Sequence, residues 1–330
     1  MTSGWERDGD GAPAAWQLTA QAFASAVESG RLDVPLPGSG STRERWAAFT
    51  DLAEEDLSLA RLGEGHADAV AILAELDGPP PGPGSRWGVW AANPPGPNVT
   101  ASRQGSSWVL HGTKQYCSGA RVCTHALVTA TAGDEARLFA VAVEDLEPRE
   151  GSWPATGMAG SDTLDVGFPG IAAEPVGPPG GYTSRPGFSH GGAGVAACWY
   201  GGARGVARSL LRAAAKRDVG PHALAHLGAV DVALQTARAA LGQAADEIDA
   251  DPGDLSGEGP RRALRVRALT EATATDVLAR TGRALGAGPL SHDEAHSRAV
   301  ADLTVYLRQH HAERDLARLG ELVAEHGAAW

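Results

Sequence analysis

A chain of 330 residues with 43% hydrophobic and 21% charged residues has room for two or three structural units around a substantial core. Its 28 basic and 40 acidic residues give a formal charge of −12, which argues against nucleic-acid binding as the main task because phosphate contacts need a basic surface. The three cysteines, Cys117, Cys123 and Cys198, show no CxxC spacing, and neither an apolar leader nor a membrane-length apolar run is present, so a soluble protein of the reducing cytoplasm is expected.

Residues 1 to about 77 read as helical. "AWQLTAQAFASAVESG" and "RERWAAFTDLAEEDLSLARLGEGHADAVAILAEL" repeat apolar residues at spacings of three and four, and Ser41-Thr42 is a plausible cap for the second stretch. "DGPPPGPGS", residues 77–85, ends this zone, since no helix survives such a Pro/Gly run. From 86 to about 180 the period changes. "RWGVWAA", "SSWVLHG", "HALVTATA", "RLFAVAV" and "TLDVGF" are short, rich in Trp, Val and Thr, and separated by turn residues, as in a small antiparallel β barrel or sandwich. From 190 onward the chain is Ala/Leu/Arg-rich. Helices are expected over roughly 190–217, 221–249, 259–284 and 297–325, broken at Gly220-Pro221, "DADPGDLSGEGP" and "GAGPLSHD", and so forming an antiparallel bundle. The expected division is an N-terminal helical domain (1–83), a middle β domain (84–186) and a C-terminal four-helix bundle (187–330).

No GxGxxG follows a strand and no GxxxxGK[ST] occurs, which leaves a Rossmann or P-loop nucleotide site unsupported. "GGARG", 201–205, reads as close helix packing. "SHDEAH" spaces His292 and His296 four apart, yet its acidic residues suit the first turn of a helix better than a metal site. In "YLRQHHAERD" a continuous helix would align Tyr306, His310 and Glu313 on one face, beside an apolar face of Val305, Gln309, Ala312, Leu316 and Leu319. A histidine there can act as a general base, although the plain reading is a charged outer face with a buried Gln. Met158 and Phe168 read as core. "HGTKQYCSGA", 111–120, ends a strand in an aromatic ring, a thiol, a hydroxyl and a glycine, which raises the question of whether something flat and polar-edged lies against it. Lys114 reads as the solvated charge of a turn and Cys117 as pointing into the barrel.

In this order the pieces resemble the acyl-CoA dehydrogenase superfamily. "LARLGEGHADAVAILAEL" is similar to the helix that ends its N-terminal domain, and "VWAANPPGPNVTA…GSSWVLHGTKQYCSGARVCTHALVTA" to its middle-domain signature. "GMAGSDTLDVGF" resembles its GxRxS-T strand, and "RALGAGPLSHDEAHSRAVADL" its Q-x-x-GGxG loop with the helix start that follows. The resemblance covers nearly the whole chain and implies α+β architecture: helices, a β-barrel-like middle domain and a four-helix bundle. It further implies FAD (alternatively FMN) between the β domain and the bundle, and a homodimer or homotetramer formed through the bundle. Tyr116 and Ser118 fall at positions that stack on the isoalloxazine and hydrogen-bond its N5/O4 edge. Ala91 and Ala92 fall in the loop at the pyrimidine edge. Gly286 and Gly288 fall in the loop that approaches a neighbouring subunit's cofactor, where glycine permits close contact.

Departures bear on the reaction. The TEPxxGSD loop reads Ala92-Asn93-Pro94-Pro95-Gly96-Pro97-Asn98, the Arg-x-x-Phe start of the second bundle helix reads "GPHALAH", and the Gln of Q-x-x-GG is Arg283. The family's catalytic Glu, eight residues beyond the Asp of its Arg-Asp pair, falls at His310, and the alternative position falls within Gly191-Gly192-Ala193. Three functions follow. One is a flavin-dependent dehydrogenase of an acyl thioester or related small molecule, with His310 as base, or Glu313 after a register shift. The second is a flavin-dependent monooxygenase using reduced flavin and O2, with an electron-transfer partner or flavin reductase. The third is a non-catalytic interaction protein. No nucleic-acid or membrane partner is expected for any of them.

Overall fold

The computed structural model describes residues 14–96, 98–216 and 218–327. The N-terminal zone forms α1 (Ala15–Glu28), α2 (Thr42–Glu55) and α3 (Leu57–Glu75), so the long second stretch is two helices rather than one. Asp56 divides them. It ends α2 in extended conformation and caps α3 by accepting a hydrogen bond from the Leu59 N–H at 3.0 Å. Ser41 occupies the N-cap of α2 without a side-chain cap bond. The Thr42 hydroxyl instead donates to Asp249 at 2.6 Å, tying α2 to the bundle.

The middle zone holds β1 (Trp87–Trp90), β2 (Val99–Gln104), β3 (Ser107–Cys117), β4 (His125–Ala132), β5 (Glu135–Ala142), β6 (Glu147–Arg149) and β7 (Leu164–Val176). Neighbours run β4-β2-β3-β7-β5, and β5 pairs back with β4, so the sheet curls into a barrel-like ring with β1 added on β4 and β6 on β7. Most pairs are antiparallel, as expected. The exceptions are β1–β4 and β2–β4, which run parallel. Closure leaves the paired strands few free edges. The interior is filled by Leu110, Cys117, Val128, Phe139, Val166 and Phe168.

After the short α4 (Gly181–Ser184), the bundle comprises α5 (Pro186–Lys216), α6 (Gly220–Ala250) and α7 (Gly259–Leu285). Gly201 of α5 packs so tightly on α2 that a Cβ there would lie 2.2 Å from the Thr50 carbonyl oxygen, which accounts for the glycine in "GGARG". The fourth expected helix is broken into α8 (Ala287–His292), α9 (Glu294–Tyr306) and α10 (Glu313–His326), with a 3-10 turn at Leu307–Gln309. Asp293 caps α9 by accepting the His296 N–H at 3.0 Å, so "SHDEAH" is a helix junction. The break at 307–312 has a local cause. The Asp315 carboxylate accepts the His311 N–H at 3.0 Å, and His310 Nδ1 accepts the Ala312 N–H at 3.2 Å, offering the backbone partners outside the helix. Ala312 is held at φ 49°. No described helix is long and apolar enough to cross a membrane.

Candidate functional site

The end of β3 is irregular. Its register with β7 shifts between Lys114 and Cys117, and Tyr116 sits in that shift at φ 60°, a left-handed conformation uncommon outside glycine. The irregularity turns the Tyr116 ring outward, 53% exposed and edge-on to Trp153 at 6.4 Å. The next side chain, Cys117, is fully buried in the barrel. Ser118 is also buried, and its Oγ lies 3.0 Å from Thr163 Oγ1, which lies 2.8 Å from Ser161 Oγ, whose hydroxyl donates to the Met158 carbonyl. The Ser118 carbonyl accepts the Trp90 indole N–H at 2.9 Å. That bond ties Ser118 to the residue that precedes the half-buried Ala91-Ala92 loop.

Lys114 is not a solvated turn charge. It lies within β3, is 1% exposed, and donates to Asn98 Oδ1 (3.1 Å), the Thr129 carbonyl (3.0 Å) and Thr129 Oγ1 (2.8 Å). Burial pulls its amine down to about 8. Three acceptors match the three ammonium protons, so the residue locks the Pro-rich loop to β4. The expected turn at Gly112-Thr113-Lys114 is therefore continuous strand.

This end of the sheet presents an exposed aromatic ring. The outward face of Tyr116, with Trp153 beside it, is a platform for a flat ring, and the Ala91-Ala92 backbone stands within the same neighbourhood. The other half of the expected constellation is elsewhere: Gly286, at φ 68°, and Gly288 are exposed at the start of α8, and a Cβ on either would meet nothing within 4 Å. Within the chain these glycines stand apart from Tyr116, since α8 packs on α9 and α7. Asp302 of α9 links the sheet to the bundle, accepting the Met158 N–H at 2.5 Å, and burial raises its carboxyl to about 6.

The second polar locus is inside the bundle, where α3, α5, α7 and the end of α9 meet. Arg61 and Glu64 of α3 form a buried ion pair at 2.8 Å. Burial, opposed by Arg61, pushes the Glu64 carboxyl up to about 7, and burial likewise raises Asp68 one turn further on. Beside them lie Cys198 and Trp199 of α5 and Tyr306 of α9, all buried. The Trp199 ring is edge-on to Tyr306 (6.4 Å) and to His310 (6.3 Å), and the Arg267 guanidinium stacks over it at 4.7 Å. His310 is 6% exposed, and burial lowers its pKa, so the imidazole is neutral near pH 7. The helical face expected to align Tyr306, His310 and Glu313 does not exist, because helix ends at Tyr306 and resumes at Glu313. Glu313 and Gln309 are exposed, so the Gln expected to be buried is not.

Arg61, Glu64, Asp68, Cys198, Trp199 and Arg267 escape the motif reading. A signal for the α3 residues was present: 61, 64 and 68 fall on one stripe of a helix built mainly of Leu, Ala and other small or apolar residues. An open cleft of about 640 Å³ is lined by Glu54, Asp56, Gly202, Asp293, Glu294 and Asp302. It touches neither locus's aromatic groups, and two of its carboxylates are paired: Glu54 with Arg204 and Arg208, Asp56 with Arg298.

No protein-family model matches the chain, and no curated protein matches it either. Solved structures do. FMN-bound TdsC from Paenibacillus sp. A11-2, a dibenzothiophene monooxygenase, is 18% identical and superposes with a TM-score of 0.73 over 94% of this chain and 96% of its own. The methanesulfinate monooxygenase MsuC from Pseudomonas fluorescens is 17% identical, with a TM-score of 0.73 over 96% and 97%. The steroid ACAD Tcur3481-Tcur3483 is 21% identical, with a TM-score of 0.71 over 93% and 89%. A helical N-terminal region, a barrel-like sheet and C-terminal helices, matched along their whole length by these proteins, give the chain the acyl-CoA dehydrogenase fold.

Proposed function

We propose that the chain is a flavin-dependent oxidoreductase, and within that class a monooxygenase supplied with electrons by a separate reductase. The state of His310 carries the finer choice. Its Nδ1 accepts the Ala312 N–H at 3.2 Å, and burial keeps the ring neutral, so the single ring proton resides on Nε2. α,β-Dehydrogenation needs a base with a free lone pair at this position. A neutral imidazole carrying Nε2–H offers a hydrogen-bond donor instead, the group required where an oxygen atom gains charge. A bound flavin would supply two-electron transfer and, once reduced, reactivity toward O2. Tyr116 and Trp153 would support its ring, with Ala91, Ala92 and Ser118 the residues to meet its polar edge. FMN is favoured over FAD because the start of α6, Gly220-Pro221-His222-Ala223, carries no arginine to hold further phosphate. FMN is also the flavin in the TdsC and KijD3 structures. Gly286, Gly288 and an oligomer through the bundle remain part of the FAD alternative.

One observation favours the dehydrogenase reading: Glu64, a buried carboxyl raised to about 7, has the affinity for a proton that a base in this chamber would need. Purified protein separates the two. Co-purified FMN, O2-dependent product with a flavin reductase present, and no anaerobic bleaching by an acyl-CoA panel are expected. Bleaching by an acyl-CoA establishes the dehydrogenase, and protein without any flavin leaves the non-catalytic reading. His310→Ala should abolish turnover with flavin retained, while His310→Gln, which keeps a donor near the Nε2 position, should retain part of it. A base role would make both variants equally inactive.

A further inference from the structure

Around Trp199 and Tyr306 the bundle interior leaves buried donors unpaired, and an unpaired acceptor, Asp68 Oδ1, lies further along α3 toward Arg45 and Arg185. Four buried atoms around Trp199 and Tyr306 have no partner among the described residues: Arg61 Nε, Trp199 Nε1, Tyr306 Oη and His310 Nε2. Trp199 is 0% exposed, Tyr306 2% and His310 6%. The first two atoms can only donate, His310 Nε2 carries the ring proton, and Tyr306 can donate through its hydroxyl. Tyr306 approaches the Cys198 thiol, a weak acceptor, without hydrogen-bond geometry. A buried donor left unpaired is costly, so four in one neighbourhood point to a missing partner.

Arg267 gives the missing partner its sign. Its guanidinium lies over the Trp199 ring at 4.7 Å and donates to two carbonyls, Gly192 and Gln309, each at 2.9 Å. No carboxylate pairs with it among the described residues. The nearby acids act on it only at longer range: Glu64 is paired to Arg61, Glu271 to Arg308, and Asp315 to His311, with its second oxygen 3.9 Å from His310 Nε2. A Cβ built on half-buried Gly192, whose carbonyl accepts from Arg267, meets nothing within 4 Å. A partly buried cation with no carboxylate in direct contact, set among unpaired donors, is stabilised by an anion with several acceptor oxygens. Water could satisfy individual donors but would leave Arg267 without a contacting anion.

We propose that the Trp199–Arg267 neighbourhood seats an anionic group, a carboxylate or comparable oxyanion, on a small organic substrate, within reach of His310; this rests on the reading of the site given above. Arg267 supplies the charge, while Trp199 and Tyr306 fix the orientation. The substrate is then an organic acid anion rather than a neutral ring.

Titration calorimetry on the full-length protein with benzoate, and with neutral benzamide of the same shape, tests this. Saturable benzoate binding is expected, with benzamide weaker by about tenfold or more. Arg267→Gln should weaken benzoate by about tenfold or more, and Tyr306→Phe by severalfold with an unchanged circular dichroism spectrum. If Arg267→Gln does not fold, Tyr306→Phe, which removes a single oxygen, carries the test. Equal binding of the two probes, no saturable benzoate binding, or benzoate binding unchanged in the variants overturns the proposal. Flavin content is measured separately. Flavin without benzoate binding removes the anion seat alone, whereas benzoate binding without flavin keeps the seat and removes the oxidoreductase reading.

Discussion

The end of β3 and the interior of the bundle are both buried and polar, but they balance their hydrogen bonds differently. At the sheet, Lys114 has three acceptors for three protons, and Ser118, Thr163 and Ser161 form a hydroxyl chain that ends on the Met158 carbonyl. In the bundle, Arg61, Trp199, Tyr306 and His310 each keep a buried polar atom unpaired. A completed network stabilises the fold by itself. An incomplete one lowers stability until something fills it, so the second locus is where a ligand would be felt most. The sheet would hold a flat ring by shape, and the bundle would select by charge.

If that contrast is right, substitutions at the two loci differ in sign as well as size. The largest effect is expected for Lys114→Met, which leaves Asn98 Oδ1 and both Thr129 oxygens without their donor. A loss of roughly 2–4 kcal/mol in urea unfolding is expected, and a loss under ~1 kcal/mol would show that the lock is dispensable. The pH dependence gives a second reading. The folded amine, near 8, releases its proton before the unfolded one, near 10.5, so between these values the unfolded state holds more protons. Wild-type stability relative to Lys114→Met should therefore rise from pH 8 to 10.5. Thr163→Val, equal in shape, breaks two links of the hydroxyl chain and should cost about 1–2 kcal/mol. Asp302→Asn keeps the acceptor for the Met158 N–H and removes a carboxyl whose folded value is raised from 3.8 to about 6. A raised carboxyl loses stability as pH climbs through that window. The variant should match wild type near pH 4 and exceed it by on the order of 1 kcal/mol at pH 7, and no gain at pH 7 would mean that the carboxylate is better solvated than its burial implies.

How much of this was readable in advance follows from the range of the forces involved. Helical spacing and strand alternation are local, and they placed the helices, the strands and core residues such as Met158, Phe168 and Cys117. The glycines of "GGARG" were legible because close helix packing leaves few alternatives. Lys114 was misread because its partners, Asn98 and Thr129, are 16 and 15 residues away in sequence and meet it only after the sheet curls. The break at 307–312 was hidden because His310 and Asp315 have ordinary helix propensity, and only their bonds to nearby backbone N–H groups end the helix. Arg61, Glu64 and Asp68 look from sequence like a solvated charged stripe. Only the packing of α5 against α3 reveals that the stripe faces inward. The acyl-CoA dehydrogenase-like order of elements was visible throughout, while the unpaired donors that distinguish this interior depend on pairings no spacing rule reports.

The smallest expected effect separates the two loci most sharply. Tyr306→Phe removes one oxygen from a residue that is 2% exposed and leaves the ring in place against Trp199. At the sheet, loss of a hydroxyl removes a made bond. Here it removes a desolvated group that has no bond to lose, so the ligand-free protein should be unchanged or more stable by up to ~1 kcal/mol. With benzoate present the sign should reverse, because the wild type gains a partner for the hydroxyl that the variant cannot offer, and ligand stabilisation grows with affinity. Paired thermal unfolding of wild type and Tyr306→Phe, with and without benzoate, reads both signs in one experiment. A variant less stable than wild type in the absence of ligand would mean that the hydroxyl already has a partner such as ordered water. The bundle interior would then be as complete as the sheet, and the contrast between them would disappear.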